Sequence, residues 1–199
     1  MRYSHLALVA VGLFGAWQFV SSRPIHHAPG EIAAADPLQS PTLEAAQPLS
    51  RGDFQVIPRA QFSAEVRVLA RERYRLGALA DVAPLDIAVG WGPMSDSAVL
   101  ADIDISQANR FYFWHYDHEP RIPPDVIITH SANWHLVPAN DVVWRKLRGL
   151  RIGDVVKLEG MLVNLENPGV GTMATSLTRN DSGPGACEII YVEKASVRL

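Results

Sequence analysis

Phe62, Ala64, Val66, Val68 and Ala70 alternate with Ser63, Glu65 and Arg67, and Leu69 is the one interruption. Period two with one polar face predicts a half-buried strand. Val156, Leu158, Gly160 and Leu162 alternate in the same way with Lys157 and Glu159, so Ile152–Leu165 reads as a strand entered through a Gly153-Asp154 turn. A glycine in mid-strand marks a bulge or a tight bend, as in a sheet that coils onto itself. Asn167, Pro168, Gly169 and Gly171 form the turn that ends this strand. The aromatic run Arg110–His115, the shorter Val126–Thr129 and the final Cys187–Glu193 also read as strands. Asp81–Val89 reads as a short helix or turn, with Pro84 tolerable in its first turn. A second short helix starts at a cap on Asn140 or Asp141, carries Val143 and Leu147 on one face and stops at Gly149. The pattern predicts a mainly β (α+β) domain, a small coiled sheet or OB-like barrel with one or two short helices.

The N-terminal fifth is different. Leu6–Val20 carries no charge and follows a Met1–His5 stretch with one Arg, the form of a secretory signal peptide or an uncleaved signal anchor over residues 1–22. Ser21–Arg51 then holds five prolines and almost no periodic apolar pattern, which predicts an extended, flexible linker over residues 23–52. The globular domain is expected over residues 53–199. The membrane contact is expected through Leu6–Val20, with the rest of the chain exported.

Composition narrows the function classes. The 199 residues are 48% hydrophobic and 20% charged, an ordinary globular balance. With 18 Lys plus Arg against 21 Asp plus Glu, the net charge of −3 argues against nucleic-acid coating. A single cysteine excludes an intramolecular disulfide and every multi-cysteine metal site. No cofactor is expected.

Five segments carry a resemblance: Trp91–Asp96 (WGPMSD), Arg110–Trp114, His130–Pro138 (HSANWHLVP), Gly153–Val163 (GDVVKLEGMLV) and Ser176–Glu188 (SLTRNDSGPGACE). Through them the chain resembles a family of uncharacterised exported or membrane-anchored bacterial envelope proteins. The resemblance spans most of Phe62–Val192 and implies an envelope setting: an inner-membrane protein with a periplasmic domain, or a secreted one if the leader is cut. It implies no activity and no catalytic residue.

Four constellations are candidates for chemistry. Cys187 could act as a nucleophile with His135 or His130 as base and Asp181 as orienter, since a thiol needs a neighbouring base or positive field to ionise near neutrality. Against this, a lone cysteine opening a strand commonly serves as a small buried hydrophobe. His115, Asp117, His118, His130 and His135 suit zinc or copper by type, but strand geometry points 115 and 118 to opposite faces, and no metal is expected. The Ser182–Ala186 loop precedes a strand rather than a helix, which favours a turn over a phosphate cradle. Trp91, Trp114, Trp134 and Arg110 are the residue types of binding hot spots, with Trp91 and Trp134 in irregular segments where side chains can face outward; a domain of this size also needs large apolar residues, so Trp114 and at least one other are expected to be buried. Arg179 and Asp181 are expected to pair and so fix their loop.

The reading these support is a non-catalytic binding module for an envelope protein or ligand, through Trp91, Arg110, Trp134, His135, Arg179 and Asp181. The alternative is an envelope hydrolase or thiol enzyme using Cys187, His135 and Asp181.

Overall fold

A computed structural model describes residues 23–41 and 47–198. The leader expected over residues 1–22 lies outside the described residues, and among those described no helix is long and apolar enough to cross a membrane. The chain is mainly β. Its strands are β1 (Leu38–Pro41), β2 (Leu49–Arg51), β3 (Phe54–Arg73), β4 (Leu85–Gly90), β5 (Asp104–Ala108), β6 (Phe111–His115), β7 (Ser131–Pro138), β8 (Val155–Asn167), β9 (Gly171–Met173) and β10 (Glu188–Arg198). Short helices interrupt them: α1 (Ala78–Val82), a 3-10 turn over Gly92–Ser95, α2 (Ser97–Leu100), α3 (Pro124–Thr129) and α4 (Asp141–Leu147).

The large sheet follows the order β1-β3-β4-β7-β10-β8-β9, and a further β3–β8 pairing joins β3, β4, β7, β10 and β8 in a closed ring. Every pair in that ring is antiparallel except β7 with β10. Closing so short a circuit demands sharply bent strands, and the bends fall where the sequence interrupts its alternation. The β3–β4 register slips between Val68 and Ala70, at Leu69. The β10–β8 register slips between Val192 and Lys194, opposite Gly160. A Cβ at Gly160 would lie 2.0 Å from the Tyr191 carbonyl oxygen, so only glycine lets the two backbones close there.

Inward residues of all five strands form the main core: Phe62, Val66, Leu85, Ile87, Trp134 and Leu162 belong to it, and α4 adds Val143 and Leu147. Asn140 caps α4, its Oδ1 accepting from the backbone N–H groups of Val142 and Val143. The outer face of β4 and β7 is covered by the excursion between them, residues 91–130, whose Met94, Val99, Ile103 and Ile127 join Ala88 of β4 in a smaller core.

Three local expectations change. Residues 85–90 are a strand rather than part of a helix or turn, because Leu85, Ile87 and Val89 reach the main core while Asp86 and Ala88 face the excursion. Val126–Thr129 lies in helix α3, opened by Pro123-Pro124. His130–Pro138, without an obvious period in sequence, supplies the central strand β7, buried on both faces.

The proline-rich segment, expected as free linker, instead runs against the domain over residues 25–41. Ile25 N–H donates to the Ile152 carbonyl at 2.8 Å, and the Ala33 carbonyl accepts from Gly92 N–H at 2.7 Å. Ala33 is buried, and β1 pairs with β3 from Leu38 to Pro41. Prolines deny a segment its own core but leave it free to add an edge strand and dock on one built elsewhere. Gly153, at φ +92°, holds the entry point, since a Cβ there would lie 2.1 Å from the Ile25 carbonyl oxygen.

Candidate functional site

The outer face of β4 and β7 carries polar residues where a covered sheet calls for apolar ones. Asp86 and His135 are register partners across this pair, and both are buried, as are Asn133 and Ser131 farther along β7. Alternation explains the grouping: Ala132, Trp134 and Leu136 go to the barrel core, so residues 131, 133 and 135 face the excursion. Asp86 Oδ1 lies 2.9 Å from His135 Nδ1, short in distance but without the alignment of a full N–H···O bond.

Asp86 Oδ1 also accepts from Arg110 Nη1 at 3.0 Å. Arg110 arrives from a two-residue hairpin turn between β5 and β6, where Asn109 and Arg110 both have positive φ, 54° and 69°. That pattern matches the twist of a tight hairpin but strains an arginine. The strain is offset by anchoring: Nη1 donates to the Ala83 carbonyl at 3.0 Å as well as to Asp86, the backbone N–H donates to Tyr74 Oη at 3.0 Å, and the guanidinium lies 3.9 Å from the Tyr74 ring centroid.

The thiol enters from the other side. Ser176–Cys187 is a loop closed at its neck by Ser176 N–H donating to the Cys187 carbonyl at 3.0 Å and by Ile189 N–H donating to Thr175 Oγ1 at 3.0 Å. Ile189 is the register partner of His135 on the parallel β7–β10 pair. Cys187, two residues earlier, therefore falls on the same face as the His135 ring. Sγ is also 3.8 Å from Asn133 Nδ2 and 3.9 Å from the Arg110 carbonyl oxygen. Burial lowers the His135 pKa, but the contacts with Asp86 and Cys187 outweigh it and push it up to about 9, so the ring is held as an imidazolium near neutrality.

Cys187 is half-buried and opens on a cleft of about 280 Å³. One wall is aromatic, with Phe111, Tyr112, Phe113 and Trp114 of β6; the other is the loop with Arg179, Asp181, Ser182 and Gly183, and Glu188 adjoins the thiol. Burial raises the Tyr112 hydroxyl pKa, against the Ser131 hydrogen bond, and the nearby Cys187 adds to the rise.

Several sequence candidates sit otherwise than expected. Trp134 is fully buried, with its ring edge-on to Phe62 at 5.4 Å. Trp91 is 1% exposed, stacks on Trp134 at 6.4 Å, donates from Nε1 to Asp36 Oδ1 at 3.0 Å, and touches the cleft only as part of its wall. These two are packing residues: both belong to the main core cluster. Trp114 is only half-buried and stacks on Tyr116. Arg179 pairs with Glu188 rather than Asp181, while Asp181 accepts from Ser176 Oγ at 2.7 Å on the loop rim. The carboxylate against His135 is therefore that of Asp86 and not that of Asp181.

The other imidazoles are dispersed. His115 contacts Asp117 at 3.1 Å on the surface, and His130 packs beside Trp91 at 6.3 Å between ring centroids. Asp86, Asn133 and Glu188 were not candidates from sequence. The available signal for Asp86 was a lone carboxylate inside the alternating stretch Leu85–Gly90.

No family model, curated protein or solved structure matches the chain.

Proposed function

We propose that this chain is a thiol-dependent acyl-transfer enzyme of the bacterial envelope, hydrolytic when water is the acceptor, built on an OB-like barrel. The observation that carries the reading is the fully buried Asp86 against His135, with Cys187 on the same face as that imidazole and at the wall of an open cleft. That order of acid, imidazole and nucleophile is the general logic of an activated thiol. The five-stranded ring with one parallel pair and a helix between its third and fourth strands supports the OB-like reading. The uncharged Leu6–Val20 stretch supports the membrane-anchored or exported one.

In this reading the Cys187 thiolate attacks an acyl carbon, forming a C–S bond as the leaving group departs with a proton from the His135 imidazolium. Neutral His135 then takes a proton from water, whose oxygen attacks the thioester carbon, so that the C–S bond breaks and the acid leaves with the Cys187 thiolate and the imidazolium restored. Asp86 stabilises the imidazolium between the two halves. Asn133 Nδ2, which donates to the Arg110 carbonyl at 3.0 Å and lies 3.8 Å from Sγ, is the side-chain donor this reading assigns to a developing oxyanion.

The test is acylation of the full-length chain in detergent by p-nitrophenyl acetate. The expected result is a burst of one nitrophenolate per chain and an acetyl group on Cys187, slowed at least a hundredfold in His135→Asn and abolished in Cys187→Ser. Labelling of Cys187 no faster in the folded chain than in urea overturns the reading.

A non-catalytic binding module is the second reading, favoured by Phe111 and Phe113, which remain exposed on the β6 wall of the cleft. It requires a ligand held with undiminished affinity by Cys187→Ser and never turned over by the native chain.

A further inference from the structure

We propose that the cleft selects a substrate bearing a positively charged group, an amine or guanidinium, beside the acyl carbon that Cys187 attacks; this rests on the acyl-transfer reading for its chemistry but not for its binding. The cleft wall contains two carboxylates, Asp181 and Glu188, and one guanidinium, Arg179. That guanidinium is already committed: it pairs with Glu188 Oε1, and its Nη2 donates to Gln39 Oε1 at 2.6 Å.

Glu188 supplies the independent sign of a missing partner. It is 1% exposed, it stands in the wall next to the thiol, and its Oε2 has no hydrogen-bond donor among the described residues. A buried carboxylate oxygen left without a donor is costly, and a ligand N–H⁺ at the Cys187 end of the cleft would satisfy it. The opposite wall fits the same charge. Phe111, Tyr112, Phe113 and Trp114 line it, and aromatic faces attract cations rather than anions. Asp181, exposed on the rim, keeps one carboxylate oxygen beyond its bond to Ser176 for drawing a cation in. Cys187 and Glu188 both line the cleft, so one acyl-bearing ligand seated in it lies against both residues.

The test separates charge recognition from catalysis. Binding of the N-methylamides of Nα-acetyl-lysine, Nα-acetyl-norleucine and Nα-acetyl-glutamate is read by tryptophan fluorescence on full-length Cys187→Ala in detergent, where no turnover is possible. The lysine probe should bind at least tenfold tighter than the norleucine probe, and the glutamate probe weakest. Asp181→Asn, at an exposed position that leaves the fold intact, should reduce the lysine preference about threefold, and Glu188→Gln should bring it to parity. Equal binding of lysine and norleucine probes, or preference for glutamate, overturns the proposal even if Glu188→Gln fails to fold. Methyl esters of the same residues, given to the native chain, then report on the catalytic reading alone. A lysine preference in binding with no ester turnover would leave the cation site standing and remove the enzyme.

Discussion

Asp86 Oδ1 faces His135 Nδ1 at 2.9 Å across directly paired strands, both side chains on the outer surface of the barrel and both buried beneath the β5–β6 hairpin. Apolar residues at these positions would close the same interface without stranding charge. Keeping an ion pair there, with Arg110 as a third member, stabilises less than hydrophobic packing would, and the acyl-transfer reading proposed above gives such a pair a use that stability does not.

The same pair sets a pH dependence. The folded His135 pKa, about 9, is above the ordinary 6.5 that the unfolded chain shows. Between those values the unfolded state releases a proton that the folded state keeps, so stability falls as pH rises, by up to about 1.4 kcal/mol per pH unit. The contribution is complete below pH 6.5 and gone above about 9. Urea midpoints measured from pH 6 to 9.5 should therefore decline in the native chain and flatten in Asp86→Asn. An equally steep decline in Asp86→Asn would place its source elsewhere.

Much of the frame was legible in the sequence because strict alternation needs only a one-sided environment. Val156 to Leu162 announced β8, and Leu69 and Gly160 marked the slips in alternation that coincide with bends. The candidate site was legible in part: Cys187 and His135 were named by residue type, but their orienter was not. Strands β4 and β7 are covered on both faces, so their outward residues are mixed polar and apolar and the period disappears. Asp86 was hidden for that reason, and Trp134 read as irregular when it is central. The docking of residues 25–41 was also invisible, since a segment that adds only an edge strand and scattered backbone bonds has no pattern of its own.

Arg110 should prove structural as well as electrostatic. Arg110→Ala leaves Asp86 buried without its best donor and the turn without its anchor on Tyr74, a loss of about 3 kcal/mol. Asn109→Gly, at φ 54°, removes strain without touching any bond of Arg110 and should be neutral or stabilising by about 0.5 kcal/mol. Thermal unfolding of the two variants tests the contrast, and comparable losses in both would mean that turn geometry rather than the ion pair dominates.

Gly160→Ala is expected to be far worse than an ordinary strand substitution. The added methyl would meet the Tyr191 carbonyl at 2.0 Å, a backbone atom that cannot swing aside, at the point where β8 and β10 change register. Loss of more than about 3 kcal/mol, or failure to fold, should appear in denaturant titration. A loss below 1 kcal/mol would show that the β8–β10 seam can open without cost to the barrel.

The N-terminal strap reaches both walls of the cleft, and this gives it a measurable link to Cys187. Asp36 holds the Trp91 indole at 3.0 Å, and Gln39 holds Arg179 at 2.6 Å and donates to the Leu177 carbonyl at 3.3 Å. Gln39→Ala removes both loop contacts while leaving the β1–β3 backbone pairing in place. The exposed Arg179–Gln39 contact adds little to stability, so the midpoint of unfolding should move by less than about 1 kcal/mol. Its effect belongs to the loop that carries the thiol: alkylation of Cys187 by iodoacetamide should accelerate several-fold as Ser176–Cys187 loosens. Asp36→Ala, acting on the opposite and better-packed wall, should change that rate less than twofold. Acceleration in Asp36→Ala with none in Gln39→Ala would assign control of access to the Trp91 wall instead.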